Sequence, residues 1–228
     1  MKIAGMIKSS LIDYPGLISC VLFVPGCNYN CFYCHNRSLI DGSYVIVDPR
    51  MVDSFLEKRV GLIDGVVITG GEPTLQAELL PYLKKIKNLG YKIKLDTNGS
   101  SPLVVEQALN EKLCDYYAVD YKAPASRYKE ICGNNASANE VLKTINLLLN
   151  ANAQLEVRTT VIPQLKKDDL MTMANELPIL PKFVLKKYKK PEKYLPVDTK
   201  RVAKKPYTDS EIEQLAKLVS TVQPNTVA

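Results

Sequence analysis

The sequence predicts an α/β fold in which parallel strands build a partial, open (β/α)6 barrel. Two patterns and one length predict it. Short runs rich in Val, Ile, Leu and Tyr alternate with longer segments whose apolar residues recur at helical spacing. That alternation implies repeated βα units with right-handed crossovers, hence a parallel sheet. The chain has 228 residues, whereas a closed eight-stranded barrel usually takes roughly 250, and only about six βα units are legible. An open, partial barrel or a doubly wound sheet therefore fits better than a closed barrel. The partial, open TIM-like form is the expectation adopted.

The first strand is expected in LISCVLFV (17–24), where Pro25 and Gly26 end it. DPRMVDSFLEKRV then reads as a helix, and DGVVITG (64–70) as the second strand. LQAELLPYLKKIKNLG leads as a helix into the strand YKIKLDT (91–97). PLVVEQALNEK is helical and precedes CDYYAVDYK (114–122), a strand. NEVLKTINLLLNAN and LKKDDLMTMANEL flank the strand AQLEVRTTVI (153–162), and PKFVLKKY (181–188) is the sixth. A last helix near 208–222 opens with TDSE, where Thr208 and Glu211 suit a capping box. Residues 1–190 are expected to form the barrel domain. The basic, proline-containing stretch after residue 188 is the one boundary, and 191–228 reads as a linker and C-terminal helix of the same domain.

Composition narrows the class. Hydrophobic residues make up 46% and charged residues 24%, as in ordinary soluble globular proteins. The 6 cysteines are too few and too unevenly placed for a disulfide-stapled secreted scaffold. No long apolar run stands behind Lys2, so no signal peptide is expected. The apolar stretch around VLFV is far too short to span a bilayer. A cytoplasmic location, with reduced thiols and no membrane association, is the expectation. Net charge is +6, and the excess lies in the lysine-dense segment 182–206. It reads as a solvated face or as a docking surface for an acidic partner; no nucleic-acid motif accompanies it, and none is expected to bind.

Chemistry concentrates in GCNYNCFYCHN (26–36), where Cys27, Cys31 and Cys34 fall at C-x3-C-x2-C spacing. The loop directly follows the first strand, and in parallel βα folds that end of the sheet carries the active site. Thiolates are soft ligands suited to iron–sulfur clusters, zinc or copper(I). Zinc wants a fourth ligand, yet the only histidine, His35, adjoins Cys34 and is badly placed to share its ion. Cys20, Cys114 and Cys132 read as small apolar residues instead. A four-iron cluster usually takes four cysteines. Three would leave one iron open to a ligand other than protein.

CNYNCFYC resembles the signature of the radical S-adenosylmethionine (SAM) enzymes. The resemblance implies a [4Fe–4S] cluster on Cys27, Cys31 and Cys34, with the fourth iron chelated by the methionine moiety of SAM. The reduced cluster of such enzymes cleaves SAM to methionine and a 5′-deoxyadenosyl radical. The resemblance also implies that Tyr33 places its backbone beside the adenine. It implies that the GGEP turn, through Gly70, Gly71 and Glu72, receives the cofactor's amino group. LDTNG contributes Asp96, Thr97 and Asn98 to the same pocket. VDYKAP supplies Asp120 and Lys122 for the ribose and carboxylate, and VRTTVIP supplies Arg158 for the carboxylate, where a bidentate guanidinium contact is physically sensible.

CHN followed by Arg37, together with LDTNG, is similar to activators of glycyl-radical enzymes. KSSLIDYPGLISCVLFVPGCNYNCFYCHN is most similar to the activating protein of anaerobic ribonucleoside-triphosphate reductase, with pyruvate formate-lyase activating enzyme next. The implied partners are a glycyl-radical enzyme, expected to be that reductase, and an electron donor of flavodoxin or ferredoxin type. No side chain is assigned as a general acid or base. A small-molecule enzyme such as 7-carboxy-7-deazaguanine synthase shares the short length and single cluster, and a non-catalytic metal staple is the rival from another class.

Overall fold

A computed structural model of the chain describes residues 1–228. Eight strands form one sheet in sequence order. They are β1 (Gly5–Ser10), β2 (Ser19–Val24), β3 (Gly65–Gly70), β4 (Lys92–Thr97), β5 (Tyr116–Asp120), β6 (Leu155–Val161), β7 (Phe183–Lys187) and β8 (Thr226–Val227). The pairs β2–β3, β3–β4, β6–β7 and β7–β8 are parallel. The six expected strands are β2 to β7, so the open α/β sheet of the sequence reading is the observed one.

Two strands escaped that reading. β1 pairs antiparallel with β2 at the sheet edge. Its residues are mostly half-buried or exposed, so the apolar run that marks an interior strand is missing. β8 has only two residues, Thr226 and Val227, in register with Phe183 and Val184, and no periodicity can register in so short a segment.

The helices are α1 (Pro49–Lys58), α2 (Leu79–Asn88), α3 (Pro102–Asn110), α4 (Tyr128–Cys132), α5 (Ala138–Asn150), α6 (Lys167–Glu176), α7 (Thr199–Val202) and α8 (Asp209–Val219). α4 and α7 are single turns that the sequence pattern does not signal. The expected helix over 75–90 starts late, because Pro73–Leu75 instead makes a 3-10 turn after Glu72. α8 begins as expected: the Thr208 hydroxyl accepts from Glu211 N at 3.3 Å, and the Glu211 carboxylate accepts from Thr208 N at 2.7 Å. Asp48 caps α1 by accepting from Arg50 N at 2.9 Å, and Pro49 opens the helix with a preset φ.

Two compact units make up the chain. The first comprises residues 1–27, 38–97 and 101–118; the second comprises 28–37, 98–100 and 119–228. In the first, β2 and β3 are apolar on both faces, as parallel strands covered by helices must be. Leu79, Leu83 and Ile86 place one fully buried stripe of α2 in that core. Burying each such side chain is worth roughly 1.5–3 kcal/mol. In the second unit, Val141, Ile145 and Leu148 of α5 repeat the arrangement at i, i+4 and i+7.

Candidate functional site

The site residues expected from sequence fall in both units, and each group is built from strand ends and the loops that follow them.

In the first unit, β3 ends at Gly70 with φ of +114°, and an added Cβ there would lie 2.6 Å from Val24 N. The next position is tighter: a Cβ on Gly71 would sit 1.9 Å from the Gly26 carbonyl oxygen. Backbone packs directly on backbone. Gly71 N donates to Val24 O at 2.8 Å and Glu72 N to Gly26 O at 2.7 Å. Thus the turn after β3 is laced to the start of the cysteine loop, and only glycine permits it.

Glu72 is wholly buried. Its Oε1 accepts from Thr74 N at 3.1 Å, Thr74 Oγ1 at 2.7 Å and Thr97 Oγ1 at 2.6 Å. The carboxylate therefore caps the 3-10 turn and ties β3 to the end of β4. Asp96 accepts from Lys94 Nζ at 2.6 Å and from Thr69 Oγ1 at 3.4 Å. Lys94 is only 2% exposed and also stands 5.9 Å from the Tyr116 ring centroid, so two partners offset the burial of its charge.

In the second unit, the segment 28–37 carries Cys31, Tyr33 and Cys34. Cys31 is buried, Cys34 is half-buried, and Cys34 N donates to Cys31 O at 3.1 Å. A hydrogen bond with the Cys132 thiol, then burial, holds the Cys31 thiol well above its ordinary range. Burial likewise raises Cys34. Iron would reverse that logic, since a coordinated thiol is deprotonated outright. The Tyr33 ring meets Phe32 and Tyr188 edge-on at 5.3 and 6.4 Å between centroids. Its hydroxyl is buried without a partner in the protein. Asn98 Nδ2 donates to Asn28 Oδ1 at 2.9 Å, and its own Oδ1 accepts from Ser100 N at 2.9 Å.

Asp120, Lys122 and Arg158 form one ion-pair cluster. Lys122 Nζ reaches Asp120 Oδ2 at 2.8 Å and Arg158 Nε reaches Oδ1 at 2.9 Å. Burial raises the Asp120 carboxyl, but the Lys122 and Arg158 cations outweigh it and hold the group well below the usual carboxylate range. Burial pulls the Lys122 ammonium down, while Asp120 more than compensates, so the net direction is well upward. Arg158 Nη1 lies 3.9 Å from Glu156 Oε1, and Lys182 Nζ sits 3.0 Å from Glu156 Oε2. A chain of alternating charge thus runs Lys122, Asp120, Arg158, Glu156, Lys182. It carries three cations against two anions, which suits an anionic carboxylate.

Residues 21–177 match the profile of the radical SAM superfamily. The chain belongs to the radical SAM superfamily. Among its relatives, a candidate glycyl-radical enzyme activating enzyme of Methanocaldococcus jannaschii is 35% identical over 175 residues, covering 73% of this chain and 71% of that protein. A 7-carboxy-7-deazaguanine synthase of Clostridium acetobutylicum is 32% identical over 167 residues, covering 70% and 68%. The chain spans 50% and 47% of two matched Pyrococcus proteins named for GTP 3′,8-cyclase activity. Among solved structures, Streptococcus suis SuiB bound to SAM superposes with a TM-score of 0.65 at 17% identity, covering 88% of this chain and 48% of that one. This last likeness speaks to the fold alone.

The cofactors of the radical SAM superfamily are a [4Fe–4S] cluster and SAM, and the residues present fit them. The donor set is three thiols in one short loop, none of them in a disulfide, soft ligands that suit iron. The Gly71–Gly26 approach keeps side chains out of the turn after β3, and the cation-rich cluster around Arg158 suits a carboxylate. The other cysteines divide. Burial pushes Cys20 and Cys114 up to about 12, as for thiols that serve as core filler. Cys132, which stands alone in sequence, does not stand alone in space: its thiol meets Cys31.

Glu156, Lys182, Lys94 and Cys132 were missed from sequence. For Glu156 and Lys94 a signal existed, because charges at alternate positions interrupt otherwise apolar strands (Glu156 and Arg158 in β6, Lys94 and Asp96 in β4). Nothing in EICGNN signals the contact of Cys132. In the basic stretch, Lys182 is tied to Glu156, and Lys187 pairs with Asp209 at 2.7 Å, so those two lysines have partners inside the chain. No helix is long and apolar enough to cross a membrane.

Proposed function

We propose that this protein is a glycyl-radical enzyme activase, and that its partner is an anaerobic ribonucleoside-triphosphate reductase. The observation that carries the reading is the 35% identity to a relative named as an activator of such enzymes, covering 71% of that relative. The CHN–Arg37 run and LDTNG support it. When bound, the reduced cluster and SAM supply the hydrogen-abstracting radical chemistry. This chain's own residues hold and orient the pair. Cys27, Cys31 and Cys34 are the iron ligands. The backbone of Gly70 and Gly71, with Glu72, Asp96 and Thr97, supplies the cofactor contacts of the first unit, and Tyr33 and Asn98 supply those of the second. The Arg158 and Lys122 cations receive the carboxylate, and Asp120 keeps both in place.

The test is anaerobic. The chain is reconstituted with iron and sulfide, reduced, and given SAM and the purified reductase; 5′-deoxyadenosine is assayed by chromatography and the glycyl radical by electron paramagnetic resonance. A radical on the reductase together with 5′-deoxyadenosine is the expected result. Nucleoside product without any glycyl radical would overturn the activase reading. Identity to 7-carboxy-7-deazaguanine synthase favours a second reading, in which a pterin is the substrate, and turnover of a pterin in the same assay would establish it.

A further inference from the structure

Cys132 has no part in the proposed function, yet it is fully buried and its thiol hydrogen-bonds that of Cys31. Cys31 is buried as well, so the two sulfurs meet out of water. The second unit holds them together from several sides.

The single turn α4, which ends at Cys132, is fastened to the cysteine loop at its start, middle and end. At its start, the Tyr128 ring meets Tyr29 edge-on at 6.3 Å between centroids, and the Tyr128 hydroxyl accepts from Lys122 N at 3.3 Å. At its middle, Arg201 Nη2 donates to Glu130 O at 3.0 Å, while the same guanidinium stacks 3.8 Å from the centroid of Phe32. One side chain thus joins α4 to the residue that follows Cys31. At its end, Asn30 N donates to Cys132 O at 2.8 Å. Gly133 comes next with φ of +93°, and an added Cβ there would lie 3.1 Å from Asn30 Cβ, so glycine lets the two backbones close up. Contacts at residues 29, 30 and 32 therefore bracket Cys31 and hold it against Cys132.

A thiol can both donate and accept a hydrogen bond. Bound to iron, Cys31 is a thiolate and can only accept, so the hydrogen between the two sulfurs belongs to Cys132. Reduction of the cluster adds one negative charge, and a donor aimed at a ligand sulfur favours the reduced state. Burial strengthens the effect, because water neither competes for the sulfur nor screens it. We propose that Cys132 is a positioning residue whose S–H bond to the Cys31 sulfur orients that ligand and raises the reduction potential of the cluster. The inference rests on Cys31 as an iron ligand and is independent of which partner the chain serves.

The full chain is reconstituted anaerobically with iron and sulfide, iron is counted per chain, and the cluster midpoint is read by electron paramagnetic resonance during a dithionite titration. Cys132→Ala should retain about four irons. Its ratio of reduced to oxidised cluster at a fixed potential should fall about tenfold, a midpoint lower by about 59 mV for one electron. Cys132→Ser, which restores a donor of similar size, should recover at least half of that shift. Cys20→Ala removes another fully buried thiol and should leave the midpoint unchanged. Circular dichroism confirms that each variant folds. An unchanged midpoint in Cys132→Ala, no recovery in Cys132→Ser, or an equal drop in Cys20→Ala would each overturn the proposal. Loss of iron from Cys132→Ala would overturn it too, by making the residue a ligand. The two assignments fail differently. Iron retained in full by Cys31→Ala removes the ligand on which the inference rests, whereas an iron-replete Cys132→Ala with an unaltered midpoint removes the hydrogen bond alone.

Discussion

Replacing Gly71 by alanine tests the backbone-on-backbone packing that shapes the turn after β3. The new Cβ would lie 1.9 Å from Gly26 O and 2.7 Å from Gly26 C, where real contacts stay above 3.0 Å. Neither neighbour is a side chain that can rotate away, so the main chain must separate by about 1 Å. That movement breaks the Glu72 N to Gly26 O bond of 2.7 Å and strains the Gly71 N to Val24 O bond of 2.8 Å. Overpacking costs about 1–3 kcal/mol, and each lost hydrogen bond adds about 1 kcal/mol. The expected loss is about 4 kcal/mol. With a urea slope of about 3 kcal/mol/M for a chain of this size, the unfolding midpoint falls by more than about 1 M. Gly90 is the control. It follows α2 with φ of +91° and has nothing within 4 Å of an added Cβ. Gly90→Ala therefore meets only the left-handed backbone penalty, about 1–2 kcal/mol. Urea titrations followed by circular dichroism at 222 nm compare the two variants with the parent. A Gly71→Ala midpoint equal to that of Gly90→Ala would refute the steric reasoning.

Three further outcomes are expected. Asp120 is depressed in the folded chain, so its contribution to stability is present above the unfolded carboxyl value of about 3.9 and is lost as pH falls below it. Arg158→Met should lower neutral-pH stability by about 2 kcal/mol, less than for a fully buried pair because the Asp120 side chain is 30% exposed, and should flatten the acid limb of midpoint against pH; an unchanged limb would reject the pairing. Alanine at Cys27, Cys31 or Cys34 should reduce bound iron from about four per chain to near zero, while alanine at Cys20, Cys114 or Cys132 retains it. Iron loss in Cys132→Ala would make the neighbour of Cys31 a ligand. Thr208→Ala removes the α8 cap and should cost about 1 kcal/mol, read as a melting temperature lower by about 2–4 °C; no change would place the capping energy elsewhere.

The strands β2 to β7 were legible because burial favours short runs rich in Val, Ile, Leu and Tyr, set off by helical segments, and that preference leaves a local trace even where charges interrupt β4, β6 and β7. The capping box of Thr208 and Glu211 was legible for the same reason, since its partners lie three residues apart. Cys27, Cys31 and Cys34 announced themselves by spacing. What the chain alone did not reveal depends on residues far apart in sequence. Edge strand β1 is half exposed and carries little pattern. The fit of Gly71 against Gly26 is a contact between two turns, and no local preference encodes it. Glu72 was expected from the resemblance to meet the cofactor's amino group, and nothing in the sequence foretold that the fold engages its Oε1 with Thr74 and Thr97. Cys132 looked solitary, and the backbone bond from Asn30 brings its thiol to Cys31. The ion-pair chain from Lys122 to Lys182 likewise exists only once β5, β6 and β7 lie side by side. Sequence by itself determined six of the eight strands and the longer helices, and it singled out Cys27, Cys31 and Cys34 by their spacing. Tertiary structure decided which polar groups face one another, because hydrogen bonds and ion pairs act over a few ångströms of space whatever their separation along the chain.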